Sequence, residues 1–93
     1  MELNHTDDVA TQLQKITELD AEGEKLTEML VVIGTQLNLA DIDVDHAKDA
    51  EDKLVKKTIW KTIRGKYKET QARIKALDRR IAILKYLVKM EKT

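Results

Sequence analysis

Residues 60–88 read WKTIRGKYKETQARIKALDRRIAILKYLV, and the apolar positions inside that run decide the fold. Trp60, Ile63, Tyr67, Thr70, Ile74, Leu77, Ile81, Leu84 and Val88 follow one another at alternating steps of three and four, with Thr70 the one aliphatic-free exception among them besides the two aromatics. Such spacing puts them on one stripe of an α-helix, a heptad seam of about four heptads. A stripe of this kind is hidden from water by a second helix, so the expected class is all-α.

Working outward, nothing between Ala47 and the carboxyl end interrupts a helix except Gly65, and proline is absent from the chain. Asp49, Glu51 and Asp52 stand where a helix amino terminus favours negative charge, and Lys85, Lys89 and Lys92 where a carboxyl terminus favours positive charge. The pattern predicts one long helix over about 47–91, with a bend or break at Gly65 as the alternative. On the amino-terminal side, Thr6, Asp7 and Asp8 supply a cap, and Val9, Leu13, Ile16 and Leu19 recur at steps of three and four. Leu26, Leu30, Ile33 and Leu37 resume the pattern after Gly23. A first helix over about 6–37 follows. Within it, Met29-Leu30-Val31-Val32-Ile33 is apolar on more than one side, which predicts contact with two neighbouring helices.

Between the helices, the stretch 38–46 carries Asn38 and then Asp41, Asp43 and Asp45 at alternate positions, side chains that compete with helical backbone hydrogen bonds. It reads as the connector of an antiparallel, coiled-coil-like hairpin. At 1.5 Å per residue the second helix is about 68 Å long and the first about 48 Å. The hairpin therefore overhangs: paired antiparallel, the first helix runs out opposite about residue 78 of the second, leaving Ile81, Ile83, Leu84, Leu87 and Val88 without cover. Either the chain breaks at Gly65 into a three-helix bundle, or the overhang pairs with another subunit or a target. The long helix with self-association through Ile74, Leu77, Ile81, Leu84 and Val88 is the preferred reading, because one glycine is a weak breaker among strong helix formers.

Composition narrows the classes of function. Ninety-three residues suit one domain with a modest core, and with aromatics at 3% and no Phe that core is aliphatic. The absence of cysteine excludes disulfides, thiolate metal sites and a cysteine nucleophile. Met1 to Asp8 carry Glu2, Asp7 and Asp8 instead of a basic stretch and an apolar run, so no signal peptide is expected there, and the longest apolar run, Met29 to Ile33, is far short of the roughly 20 residues that span a bilayer. A cytoplasmic protein without a membrane partner is expected.

The formal charge of zero conceals two opposed halves. Residues 1–52 hold fourteen Asp/Glu against three Lys, and residues 53–93 hold fourteen Lys/Arg against three Asp/Glu. Internal neutralisation is the simpler use of this asymmetry. An antiparallel hairpin is expected to set Glu18, Asp20, Glu22, Glu24 and Glu28 opposite the Lys56–Lys68 region, fixing register more than stability.

Four site readings follow. Asp41, Asp43, Asp45, Asp49 and Asp52 occupy positions 1, 3, 5, 9 and 12 of a twelve-residue window that resembles the calcium loop of helix-loop-helix proteins. His46 replaces the turn glycine, Lys48 the pinning apolar residue and Asp52 the closing glutamate, so a solvated, capping connector with no bound metal is preferred. Lys53, Lys57, Lys61, Arg64, Lys68, Lys75 and Arg79 form a basic face able to follow a phosphate backbone, with Trp60 or Tyr67 to stack on a base. Nucleic-acid binding is accordingly the alternative function. Conversely, the acidic half could imitate nucleic acid or plug a basic groove on another protein. Catalysis has little to work with: serine and cysteine are missing, and His5 and His46 form no His-Glu-x-x-His pattern. The expectation is a non-enzymatic, cofactor-free interaction module that binds itself or a target protein as a homo-oligomer, in the style of accessory or inhibitory factors of phages and mobile elements.

Overall fold

The computed structural model describes residues 9–92, which form an antiparallel helical hairpin of two helices. Helix α1 spans Val9–Asp45 and helix α2 spans Ala50–Lys92, 37 and 43 residues long. The molecule is a rod of 65 × 23 × 16 Å with a radius of gyration of 20.3 Å, against about 12 Å for a compact chain of this length. The proposed cap at Thr6, Asp7 and Asp8 lies outside the described residues.

Both helices bury a stripe of matching period. On α1 the sheltered stripe runs through Val9, Gln12, Ile16, Leu19, Gly23, Leu26, Leu30, Ile33, Leu37, Ala40 and Val44, with Gly34 sheltered beside it; on α2 it runs through Lys56, Trp60, Ile63, Tyr67, Thr70, Ile74, Leu77, Ile81, Leu84 and Val88. Each runs in alternating steps of three and four, the signature of two helices wrapped along a shared seam. Two glycines set the register. A methyl group placed on Gly23 would lie 3.3 Å from Leu77 Cδ2, and one on Gly34 would lie 3.3 Å from Tyr67 Cε2. Each glycine thus makes room for a large side chain across the seam, and residue 23 sits across from 77 as residue 34 does from 67.

The connector is shorter than the alternating aspartates suggest. Helix α1 continues eight residues beyond Leu37, and only 46–49 lie between the helices. The physical reason is that Leu37, Ala40 and Val44 extend the inward stripe, while Asp41, Asp43 and Asp45 face solvent and need not compete for the backbone. Helix α2 likewise passes through Gly65 without interruption, and among the described residues no backbone φ is positive. A three-helix bundle is not formed. Surface threonines are absorbed into the helices by hydrogen bonds to the preceding turn, as from Thr27 Oγ1 to Gly23 O (2.8 Å) and Thr58 Oγ1 to Leu54 O (2.9 Å).

Both helix ends at the turn are closed by side chains. His46 Nδ1 lies 2.9 Å from the Ile42 carbonyl oxygen, and the His46 backbone N–H donates to the same oxygen at 3.1 Å. At the start of α2, Asp49 Oδ1 accepts from the Asp52 N–H (2.8 Å) and Asp52 Oδ2 accepts from the Lys48 N–H (3.0 Å), a reciprocal cap. Asp52 Oδ2 also pairs with Lys56 Nζ at 3.1 Å. The Lys48 N–H and then the Lys56 ammonium hold the Asp52 carboxyl below its usual value.

Two outcomes are expected from this architecture. Gly65 faces open space, with nothing within 4 Å of an added methyl group, so Gly65→Ala should stabilise the hairpin by about 1 kcal/mol, raising the thermal midpoint by roughly 4–8 °C; an unchanged or lowered midpoint would contradict an unbroken helix there. Because the folded Asp52 carboxyl titrates lower than in the unfolded chain, its contribution is full above the unfolded value and disappears as pH falls through the depressed one. Thermal melts down the acid range should therefore show a shallower loss in Asp52→Asn than in the parent, and parallel curves would refute the assignment.

Candidate interaction surfaces

The ridge expected to pair with another molecule is covered inside the chain. Leu77, Ile81 and Val88 are buried in one cluster with Ile16 and Leu26 of α1, and Ile74, Leu84, Leu19 and Val9 pack against it. The anticipated overhang of Ile81, Leu84 and Val88 does not occur. Extension of α1 to Asp45 and the four-residue turn bring its first turns level with the last turns of α2, so the two seams match in length. Ile83 and Leu87 remain exposed, because they lie off the seam.

The register also relocates the acidic run. With Gly23 across from Leu77, residues 18–28 lie beside the stretch around Arg73, Lys75, Arg79 and Arg80 rather than beside Lys56–Lys68. Glu18 and Glu22 share a surface cleft with Arg80, and Glu28 shares another with Lys66. Among the described residues none of Glu18, Asp20, Glu22, Glu24 and Glu28 closes an ion pair with α2; the ion pair that does form, Lys56 to Asp52, lies within α2. Opposite charge is close but solvated, worth little in stability.

Lys53, Lys57, Lys61, Arg64, Lys68, Lys75 and Arg79 are all exposed along α2. The aromatic partners proposed for them point the other way: Trp60 and Tyr67 are half-buried on the seam, and Arg64 already lies over the Trp60 ring, 5.2 Å from its centroid. Of the five aspartates in the calcium-like window, Asp49 and Asp52 meet in the cap of α2, while Asp41, Asp43 and Asp45 stand on the exposed side of the last turns of α1. Among the described residues no three acidic or imidazole side chains converge so as to hold a metal ion, and no helix is long and apolar enough to cross a membrane.

A surface that spacing on the seam alone does not reveal lies beside it. In the segment Met29–Ile33, Leu30 and Ile33 turn toward α2, whereas Met29, Val31 and Val32 are exposed. Met29, Val32, Gln36 and Leu39 form a second stripe on α1, again in steps of three and four. On α2, Val55, Ile59, Thr62 and Lys66 do the same. An open cleft lined by Met29, Val32, Ile33, Gln36 and Lys66 shows that the two stripes border one side of the rod. Met29 is 46% exposed, Val32 56%, Leu39 58%, Val55 54% and Ile59 51%. The opposite side carries mostly polar groups, among them Asp20, Thr27 and Asp78 toward the termini and Thr35 and Asn38 toward the turn, with the exposed Val31 among them. The sequence signal for the apolar side was the all-round hydrophobicity of residues 29–33; its continuation through Leu39, Val55 and Ile59 needed the register.

Comparison with protein-family models, with curated proteins and with solved structures finds no match for this chain, so these surfaces are read on their own chemistry.

Proposed function

We propose that the protein is a non-enzymatic interaction module that self-associates, and that it does so through the apolar side bearing Met29, Val32, Leu39, Val55 and Ile59 rather than through the seam. The observation that supports this reading is the exposure of those five side chains together, on one side and toward the turn. Each contributes about 1.5 to 3 kcal/mol if fully buried, and such a row of neighbouring apolar side chains marks a contact surface. A second copy is a suitable occupant because the chain is electrically neutral yet built of an acidic and a basic helix, so its own surface offers matching charge. Lack of serine and cysteine, and the distribution of its carboxylates along an open rod, support binding over catalysis.

Light scattering over a range of concentrations should give a mass above that of one 10.7 kDa chain. Val32→Glu combined with Ile59→Glu should return the mass to a single chain with helicity retained, since neither residue lies on the seam. A parent that is a monomer at every concentration, or a double variant of undiminished mass, would remove the proposal.

One observation supports a second reading. Among the described residues, none of the seven cations Lys53, Lys57, Lys61, Arg64, Lys68, Lys75 and Arg79 is engaged in an ion pair, which leaves a basic face about 40 Å long open to polyanions. Nucleic-acid binding by this face should retard a duplex or single-stranded probe at low salt and lose it steeply as salt rises. No retardation at low salt would dispose of it.

A further inference from the structure

We propose, building on the self-association above, that two copies pair with their rods parallel, both turns at the same end, and with α1 of each lying over α2 of the other. Two identical rods that meet through the same side are related by a two-fold axis lying in the contact plane. If the axis runs along the rods, the rods are parallel and α1 faces the partner's α2. If it runs across them, the rods are antiparallel, and α1 faces α1 while α2 faces α2.

Charge separates the two. Helix α1 carries eight Asp/Glu and two Lys, whereas α2 carries five Asp/Glu and fourteen Lys/Arg. On the apolar side itself, Glu18, Glu22 and Glu28 border α1, interrupted by Lys15 and Lys25; Lys66 and Arg80 border α2, and Arg73 falls on the same stripe between them, interrupted by Glu69, so the α2 border stays net basic. Antiparallel rods would stack basic α2 on basic α2, which like-charge repulsion opposes. Parallel rods alternate the signs.

Of the apolar groups, those of α1 favour this choice. In fully overlapped antiparallel rods, Val55 and Ile59 would meet Ile83 and Leu87, but Val32 and Leu39 would fall over the charged early turns of α1, near Glu22 and Lys15. In parallel rods the register that sets Gly23 across from Leu77 places Leu39 level with Ile59 of the other copy. It also places Val32 and Met29 level with Lys66 and Arg73, whose aliphatic stems cover apolar surface while their charges stay in water. Glu22 then comes level with Arg80. The result is a four-helix arrangement in which every helix has neighbours of opposite charge.

The chain contains no cysteine, so single cysteines report cleanly. A nitroxide spin label on Lys48→Cys, at the exposed turn, should give an intermolecular distance of about 20–30 Å in parallel rods, since packed helices lie roughly 8–10 Å apart. Antiparallel rods would separate the same labels by close to the 65 Å length of the molecule. Mixing Lys48→Cys with Glu91→Cys reverses the expectation, long for parallel and short for antiparallel. A dimer by light scattering with a long Lys48–Lys48 distance would overturn the parallel pairing and leave self-association standing. A monomer by light scattering, with no intermolecular distance, would overturn both.

Discussion

The structure depends on one mutual constraint: two stripes of aliphatic side chains, both repeating at three and four residues, can leave water only by lying along each other. Most helical stability in proteins comes from packing an apolar face rather than from propensity. The cluster of Ile16, Leu26, Leu77, Ile81 and Val88 is therefore the core and the fold at once. With no third layer, no side chain in the described residues is wholly enclosed, and much of the apolar complement stays in contact with solvent.

The register of the two stripes governs everything placed on the outside. Gly23 and Gly34 admit Leu77 and Tyr67 across the seam, and these two close approaches determine which residues become neighbours. Acidic residues 18–28 then fall beside the arginines of the later turns of α2, not beside its early lysines. The charge halves become two long flanks of one rod, acidic on one edge and basic on the other. Because the opposed charges approach without closing ion pairs, their field extends into solvent and remains able to act on something else.

Such a rod is well suited to association and poorly suited to chemistry. Its groups are spread along a line, so titratable side chains meet only locally, as Asp49 and Asp52 do when they close the first turn of α2. Its sides, in contrast, are long and distinct. One is mostly polar and the other holds Met29, Val32, Leu39, Val55 and Ile59 toward the turn, and it is this difference between the sides, rather than the covered seam, on which the functional reading rests.

The sequence by itself determined that the chain is helical, that it doubles back, and that Trp60 to Val88 forms a ridge, because a periodicity of three and four specifies a helix face whatever lies opposite it. It also placed Asp49 and Asp52 in the first turn of α2 as charges favoured there, but offered Asp43 or Asp45 as the cap; with those two inside α1, Asp49 and Asp52 close the turn instead. Only the tertiary structure decided the length of α1 and the fate of the ridge. Alternating aspartates at 41, 43 and 45 read as a connector until Ala40 and Val44 are seen to continue the buried stripe, a contact worth more than the local preference of side chains that point to water. That extension of eight residues removed the overhang and enclosed Ile81, Leu84 and Val88. The same shift of register brought Met29, Val32, Leu39, Val55 and Ile59 to one side, since which residues of two helices share a surface depends on how the helices are aligned, and alignment is a property of the packed pair.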